Sequence, residues 1–219
     1  MKLLECKTTL LNKDKIKSRF VYYSLKRIFD CVAALTGIVI LSPLMVIIAL
    51  LIKLEDHGPV FYKQFRVGKN GKVFKMYKFR SMVVNADQLF EKLKDQNEIS
   101  GAMFKIKNDP RVTKIGHFIR EHSLDELPQL INVVRGDMSL VGPRPPLPSE
   151  VKQYTDYDKQ RLYVVPGCTG LWQATKRNDV GFDEMVNLDI KYIKHASLNY
   201  DFWIIIKTIK IMFLPNESY

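Results

Sequence analysis

The sequence predicts an α+β protein that is mainly helical, contains one small β-hairpin and meets a membrane near its N-terminus. Three observations lead to this prediction. Residues 31–52 contain no charged side chain, two aromatic and β-branched runs flank Asn70-Gly71, and apolar residues recur at helical spacing over much of the remaining chain. Asparagine–glycine between such runs is a strong hairpin signal, and the helical spacing indicates helices with one apolar face.

The balance of charge predicts an anionic partner. Lysine and arginine outnumber aspartate and glutamate 34 to 23 over 219 residues, which gives a formal net charge of +11. Anionic lipid, phosphorylated substrates and nucleic acid all fit such a charge. The positive residues are spread along the chain and no nucleic-acid-binding motif occurs, so we expect no nucleic acid partner. Cys6, Cys31 and Cys168 lack C-x-x-C spacing and indicate neither a zinc site nor a disulfide framework.

Residues 1–23 read as a basic tail, and residues 24–54 contain the candidate membrane segment. The uncharged stretch is about 22 residues long, the length that a helix needs to cross a bilayer. Ser42-Pro43 falls at its middle, where proline removes a backbone hydrogen bond and the Ser42 hydroxyl can bind the freed carbonyl. Basic residues flank both ends, although a spanning helix usually has them on one side. A kinked span and a re-entrant hairpin, whose ends share one face of the membrane, fit the residues equally well.

A β-hairpin is predicted after the membrane segment. Residues 60–62 and 73–79 form the two apolar and aromatic runs, and residues 68–71 lie between them as the turn. Lys78 and Arg80 then place two cations on either side of an aromatic residue. They predict either contacts with phosphate or a solvated strand edge.

Helical patterns account for most of the remaining chain. Residues 85–98 and 182–194 have apolar side chains at helical spacing, and residues 147–162 are predicted to form a solvated helix. Residues 200–213 are too short to span a bilayer and too apolar for an ordinary surface helix. Trp203 and the neighbouring isoleucines and lysines suit a helix that lies in the headgroup region, and a buried core helix is the alternative.

The central feature of the sequence is a pair of adjacent acids, Asp125 and Glu126. Pro128 follows them, and because proline is tolerated in the first helical turn, it predicts a helix that begins between Ser123 and Asp125. Both carboxylates would then lie at the helix N-terminus, where free N–H groups and the macrodipole favour the ionised form. The structural alternative is a capping box, because residues 123–126 fit the pattern S-x-x-E.

Arginines near the acid pair favour phosphate chemistry over simple capping. Arg120 precedes the pair, Arg135 follows it, and Arg144 lies within the stiff, proline-rich segment of residues 142–146. Acids beside fixed arginines and a helix N-terminus are typical of sites that handle phosphate groups. Arg177 lies in a loop after an aromatic residue, where it could close over a phosphate or a base or could lie at the surface.

Together these residues resemble the bacterial sugar transferase family, the monotopic phosphoglycosyl transferases that begin polyprenol-linked glycan assembly. The likeness extends over about residues 24–213. Each motif is weak alone, but the series in this order is highly specific: Ser42-Pro43, Gly58-Pro59-Val60-Phe61, Gln64 with Arg66 to Gly68, Lys78-Phe79-Arg80-Ser81-Met82, Ser123-Leu124-Asp125-Glu126-Leu127-Pro128-Gln129, Gly136-Asp137-Met138-Ser139, Gly142-Pro143-Arg144-Pro145, residues 166–173, and the helix around Asp189.

The resemblance implies a chemistry. Such enzymes transfer sugar-1-phosphate from a nucleotide diphosphosugar, usually a UDP-sugar, to a polyprenol phosphate such as undecaprenyl phosphate, and they release UMP. The family's aspartate, here Asp125, attacks the sugar-bearing phosphate to form a covalent phosphosugar intermediate. Glu126 is expected to position the metal or to act as acid or base. Mg²⁺ is the family's cofactor, with both acids as its expected ligands. The expected phosphate and nucleotide contacts are Lys78, Arg80, Arg120, Arg144 and Arg177.

The resemblance also implies a location. The family's Ser-Pro kink, here Ser42-Pro43, produces a re-entrant hairpin, so we expect the catalytic domain of residues 55–219 at the cytoplasmic face of the bacterial inner membrane. Larger members carry extra N-terminal spans and a further domain, so we expect the minimal catalytic form, with a homo-oligomer left open. Cys168 stands where the family usually has an aliphatic residue, and we interpret it as a small substitution in the core. The rival hypothesis is a non-enzymatic, single-span scaffold in which the acid pair only caps a helix.

Overall fold

The computed structural model describes residues 10–86, 88–89, 109–176 and 180–212, and within them the chain is mainly helical with two small sheets. The predicted combination of helices with a small amount of β-structure is confirmed. The helix predicted over residues 85–98 lies largely outside the described residues. The helices are α1 (Lys13–Lys17), α2 (Phe20–Asp56), α3 (Lys114–Glu121), α4 (Gln129–Arg135), α5 (Pro148–Val151), α6 (Leu171–Thr175), α7 (Phe182–His195) and α8 (Leu198–Met212).

Helix α2 contains the whole uncharged stretch and continues through Pro43. A proline cannot donate to the carbonyl four residues earlier, which here belongs to Val39. The Ser42 hydroxyl donates to that carbonyl at 2.8 Å, so the hydrogen bond predicted for Ser42 is present. Among the described residues, α2 is the one helix that is long and apolar enough to cross a membrane by length and composition.

One face of α2 packs against the rest of the protein on both sides of Pro43. Before the proline, Ala34 is fully buried in a cluster with residues of the β-hairpin and α4. After it, Ile48 and Ile52 are buried in a second cluster that includes Ile119 of α3. Helix α2 therefore belongs to the core along one face, while its other face exposes large apolar side chains: Val39, Ile40, Val46, Ile47, Leu50 and Leu54.

The predicted β-hairpin is confirmed. Strands β1 (Phe61–Val67) and β2 (Val73–Phe79) pair antiparallel. Between them, Asn70 and Gly71 have φ values of 56° and 81°, in the left-handed region that glycine enters without strain and asparagine tolerates. The Gly68 N–H donates to the carbonyl of Lys72 at 2.8 Å and closes the turn.

A second, parallel sheet lies beside the hairpin and consists of β3 (Ser139–Val141) and β4 (Gly167–Thr169). A Cβ at Gly167 would lie 2.1 Å from the backbone nitrogen of Gly142, so the close packing of these two backbone segments requires glycine at position 167. Cys168 of β4 packs against the cluster around Ala34, as expected for a core substitution. The third cluster joins this sheet to the C-terminal helices through Val141, Leu171, Tyr192, Ile193 and Ile204.

The C-terminal helices agree in part with the prediction. Helix α7 matches the range expected from its apolar spacing. One side of helix α8 packs in the core, where Ile204 is fully buried. This side fits the alternative prediction, a buried core helix. Its other side carries the exposed apolar residues Phe202, Trp203, Ile206 and Ile209.

The single helix predicted over residues 147–162 is wrong. The segment forms only the short helix α5 and a separate 3-10 turn, Asp158–Tyr163. The Asp158 carboxylate accepts hydrogen bonds from the backbone N–H and the hydroxyl of Thr155, at 2.9 and 2.7 Å. Such side-chain contacts compete with helical hydrogen bonds, and here they start a new turn instead of continuing the helix.

Candidate active site

The acid pair lies on a 3-10 turn, Leu124–Glu126, and not at the start of a helix. Helix α4 begins only at Gln129, with Pro128 at its N-cap. Ser123 has a φ of 55°, in the left-handed region, and its side chain makes no capping hydrogen bond. The predicted helix start is therefore wrong, and the capping box is not formed. The left-handed conformation of Ser123 turns the chain after α3 and brings the two acids next to the hairpin.

Lys78 of β2 bridges the two acids. Its ammonium donates to Glu126 Oε1 at 2.6 Å and lies 3.6 Å from Asp125 Oδ2. Asp125 is buried, at 8% relative exposure, whereas the Glu126 side chain is about one-third exposed, at 36%. One ammonium therefore serves two adjacent carboxylates, one of them nearly withdrawn from water. A solvated strand edge, the alternative for Lys78, does not describe this position.

The two carboxyl groups have opposite pKa shifts. Burial raises the pKa of Asp125, as does the neighbouring Glu126, while Lys78 and Arg120 act against the shift. Burial acts to raise the pKa of Glu126 as well, but Lys78, Arg144 and Arg66 outweigh it and lower that pKa. Adjacent carboxyls whose surroundings separate their pKa values are typical of acid pairs with different roles in one reaction.

The charges of Arg120 and Arg144, both predicted as phosphate contacts, act on the acid pair. Arg120 Nε donates to Ser81 Oγ at 2.8 Å, and its charge lowers the pKa of Asp125. Arg144 Nη1 lies 3.2 Å from Oε2 of Glu150, a buried carboxylate that also accepts the N–H of Leu147. Both guanidinium groups are thus held by neighbouring side chains while their charges act on the two acids.

Arg66 is a site residue that the sequence analysis missed. Its guanidinium donates to Gln64 Oε1 and, at 3.0 Å, to the carbonyl of Pro145, next to Arg144. Burial and the charge of Arg144 lower the pKa of Arg66 to about 10, and its charge reaches Glu126. The pairing of the two strands places Arg66 on the same face of the hairpin as Lys78. Side chains an even number of residues apart share a face of a strand, so residue 62 and Arg66 share one, and residue 62 pairs with Lys78.

Arg80 and Arg177 differ from the other predicted contacts. The buried Arg80 guanidinium pairs with both carboxylate oxygens of Asp56 and also donates to the carbonyls of Pro59 and Met82. These contacts tie the end of α2 to the hairpin and use four of its five N–H groups. Arg177 lies outside the described residues.

A buried ion pair supports the segment that carries Arg144. Arg161 Nη2 lies 2.7 Å from Asp189 Oδ2, and both side chains are almost completely inaccessible to solvent. Arg161 also donates to the Tyr154 hydroxyl at 2.6 Å and to the Arg144 carbonyl at 3.2 Å. The sequence analysis did not predict this pair, because its partners are 28 residues apart and nothing local links them.

The two acids suit a metal that shares its coordination with a substrate. Among the described residues, no three His, Cys, Asp or Glu side chains gather closely enough to form a metal cluster. Mg²⁺ commonly takes one or two carboxylates from the protein and completes its octahedron with water and substrate phosphates. Asp125 and Glu126 provide that donor set, so the residues present fit Mg²⁺ bound together with a phosphorylated ligand.

Comparison with known proteins gives one family over most of the chain. The family model for bacterial sugar transferases matches residues 21–215. Galactosyl transferase CpsE of Streptococcus agalactiae is 47% identical over 190 residues, which are 86% of this chain and 42% of the relative. Undecaprenyl-phosphate galactose phosphotransferase of Salmonella typhimurium is 45% identical over 212 residues, 95% of this chain and 44% of the relative.

A relative of similar length also matches. Exopolysaccharide production protein ExoY of Rhizobium meliloti is 43% identical over 198 residues, which are 89% of this chain and 88% of the relative. By contrast, this chain spans less than half the length of the Streptococcus and Salmonella proteins.

Proposed function

The chain belongs to the bacterial sugar transferase family, and on that premise we propose that it transfers a hexose-1-phosphate from a UDP-sugar to undecaprenyl phosphate and releases UMP. The names of the Salmonella and Rhizobium relatives support this lipid acceptor and a role in surface polysaccharide synthesis. The observation that carries the proposal is the site itself. Two carboxylates are bridged by Lys78, and the charges of Arg66, Arg120 and Arg144 act on them.

In the first step, Asp125 acts as the nucleophile. A carboxylate oxygen attacks the sugar-bearing phosphorus, the bond from that phosphorus to the bridging oxygen breaks, and UMP leaves with that oxygen. In the second step, a phosphate oxygen of undecaprenyl phosphate attacks the same phosphorus and releases the Asp125 carboxylate. The covalent intermediate divides one difficult transfer into two easier displacements. Lys78 and Arg120 favour the ionised carboxylate that the first step needs.

The surrounding cations have a common task, which is to offset the negative charge of the pyrophosphate. Phosphoryl transfer depends largely on positioning and on electrostatic stabilisation by fixed charges. We assign this task to Lys78, Arg120, Arg144 and Arg66, whose charges act on the two acids, whereas the contacts of Arg80 suit an anchoring role better. Asp125 and Glu126 would hold Mg²⁺, which when bound adds positive charge next to the phosphates. Arg177 stays a predicted substrate contact.

We further propose that α2 is a re-entrant element with both ends at the cytoplasmic face of the inner membrane. The support is that Ala34 and Ile48, on either side of Pro43, are buried against one and the same domain. That domain carries the charged site, and the Glu55 carboxylate at the end of α2 accepts the N–H of Lys114 in α3 at 2.8 Å. Near the other end of α2, Lys26 pairs with Asp201 of the same domain at 2.9 Å. A plain span would hold the two ends at opposite faces of the membrane, so these contacts disfavour it.

The exposed face of α8 supports a second contact with the headgroup region. Phe202, Trp203 and Ile206 are exposed on it, and the Lys207 ammonium lies 5.6 Å from the Trp203 ring centroid. An apolar face with aromatic residues and bordering lysines is typical of helices that lie in the membrane interface.

The proposal is tested by screening UDP-sugars with undecaprenyl phosphate and Mg²⁺ while UMP release is measured. We expect release only with the correct donor, and mass spectrometry of rapidly quenched enzyme should find a phosphosugar on the peptide that contains Asp125. The control is Asp156→Asn, which changes an acid that is almost fully exposed. UMP release without any adduct on that peptide would contradict the covalent mechanism, and no release with any donor would contradict the function.

A further inference from the structure

A cavity of about 220 Å³ lies beside the N-terminal part of α2. None of the residues that bridge or surround the acid pair lines it. Its walls come from α2, from the hairpin turn, from the β3 region and from the end of α7. The lining residues on α2 and the turn are Tyr22, Tyr23, Lys26, Arg27, Asp30 and Lys69. The opposite wall is mainly apolar and includes Met138, Val141, Val164, Val165, Ile193 and Ala196.

Two of the cations on this cavity have no acidic partner within the described part of the chain. Arg27 donates from Nη1 and Nη2 to the carbonyls of Val133 and Val134, at 2.5 and 2.8 Å, so neutral groups hold its guanidinium. The Lys69 ammonium lies 6.0 Å from the Tyr23 ring centroid. Lys26 differs, because it pairs with Asp201 at 2.9 Å and lies 3.8 Å from Asp30. The cavity therefore has an uncompensated positive charge.

The Tyr23 hydroxyl is a second, independent indication of a ligand. It is buried and has no hydrogen-bond partner within the structure described. Buried polar groups are nearly always hydrogen-bonded, and leaving one unpaired costs free energy. Because Tyr23 lines the cavity, a ligand with an acceptor oxygen would supply the partner that the protein does not.

The outer face of α2, across the helix from Tyr23, Lys26 and Asp30, indicates where such a ligand comes from. On the same stretch of α2, Phe20, Val21, Leu25 and Ile28 are exposed apolar side chains. They continue the exposed apolar face of α2 towards the N-terminus. A ligand that reaches the cavity from a bilayer would thus find an apolar wall and, beside it, a phenol and two cations that lack an acidic partner among the described residues.

We propose that this cavity binds the phosphate-bearing end of an anionic phospholipid. The phosphate accepts a hydrogen bond from Tyr23 and is neutralised by Arg27 and Lys69, while the apolar part of the lipid lies against Val164 and its neighbours. The inference rests on the proposed contact of α2 with a membrane but not on the transfer chemistry at Asp125. It gives the enzyme a lipid contact separate from its acceptor substrate.

The test is native mass spectrometry of the full chain in detergent, incubated with palmitoyl-oleoyl phosphatidylglycerol or phosphatidylcholine. We expect one phosphatidylglycerol per chain, retained at least five-fold more than phosphatidylcholine. Lys69→Glu should lower its occupancy at least five-fold, and Tyr23→Phe, which removes only the hydroxyl, about two- to three-fold. Lys63→Glu is the matched control, because it makes the same charge change on an exposed lysine that does not line the cavity.

Three results would overturn the inference. Equal retention of the two lipids would remove the charge argument, and an equal loss in Lys63→Glu and Lys69→Glu would indicate a general surface effect. Binding of glycerol 3-phosphate as tightly as the lipid would identify a soluble phosphate ligand instead. UMP release measured on the same preparations separates a failure of this inference from a failure of the proposed function.

Discussion

The Lys78 ammonium lies 2.6 Å from the Glu126 carboxylate, although 48 residues separate the two in the chain. This contact joins the β-hairpin to the 3-10 turn that carries the acids. Because the same ammonium lies 3.6 Å from Asp125, the ionisation of both acids depends on one side chain of the hairpin. The acid pair and its bridging ammonium therefore come from two segments, and neither segment forms this cluster alone.

Replacing the proposed nucleophile should abolish transfer without harming the fold. In Asp125→Asn we expect UMP release to fall about 10⁴-fold or more, because an amide cannot form the covalent intermediate. Burial disfavours the ionised form of Asp125, so a neutral side chain of the same shape should not lower the melting temperature. Activity and thermal melting are measured in the same detergent. Activity within ten-fold of wild type would exclude Asp125 as the nucleophile.

Removing the bridging ammonium should change the pH dependence of the reaction. Lys78 lowers the pKa of both Asp125 and Glu126, so in Lys78→Met both carboxyls should hold their protons to higher pH. We expect the acidic limb of the kcat/KM profile to move to higher pH, with a loss of about 10²-fold at the optimum. Lys78→Arg is the control, because it retains the charge and should move the limb less. An unmoved limb in Lys78→Met would show that the ammonium does not set this ionisation.

The buried pair of Arg161 and Asp189 should contribute strongly to stability. In Asp189→Ala the Arg161 charge stays buried without its partner, which costs about 3–5 kcal/mol and should lower the melting temperature by about 10 °C. The double variant Arg161→Met, Asp189→Leu should recover part of this loss, because it leaves no buried charge. Lys159→Ala removes an exposed pair in the same segment and should change the melting temperature little. Equal melting temperatures of Asp189→Ala and wild type would disprove the contribution of this ion pair to stability.

The re-entrant topology predicts that both ends of α2 are inaccessible from outside the cell. Single cysteines replace Lys13 and Lys72 in a chain whose native Cys6, Cys31 and Cys168 are changed to serine or alanine. In intact cells a membrane-impermeant maleimide should label neither position, and after permeabilisation it should label both. A transmembrane span would instead leave one position labelled in intact cells, and that result would refute the hairpin.

Much of the fold followed from local signals. Asn70-Gly71 between two apolar runs is enough to specify the hairpin, because few residues accept the left-handed conformation that its turn requires. The uncharged stretch likewise indicated a helical membrane segment, and its Ser42-Pro43 pair indicated the hydrogen bond to Val39. That the helix continues through Pro43 as one element was not predicted. At the candidate site, residue type and order singled out the adjacent acids, Lys78, Arg120 and Arg144. The structure brings Lys78 to both acids, and the roles of these residues in a reaction stay predictions.

What could not be predicted depends on contacts between distant segments. Ser123 takes a left-handed conformation because the chain must turn from α3 to the hairpin, and its sequence resembles an ordinary helix cap. The ion pair of Arg80 with Asp56, 24 residues earlier, was not foreseen, and a substrate contact of Arg80 stays a prediction. Arg66 needed the strand register, since only that places it on the same hairpin face as Lys78.

The burial of Ala34, Ile48 and Ile52 means that α2 is not a detachable anchor. A chain shortened to begin after α2 would lose one wall of two apolar clusters and expose the underside of the hairpin and of α3. Trimming this helix to obtain a water-soluble catalytic fragment should therefore yield aggregates, and purification has to retain it in an amphiphilic environment.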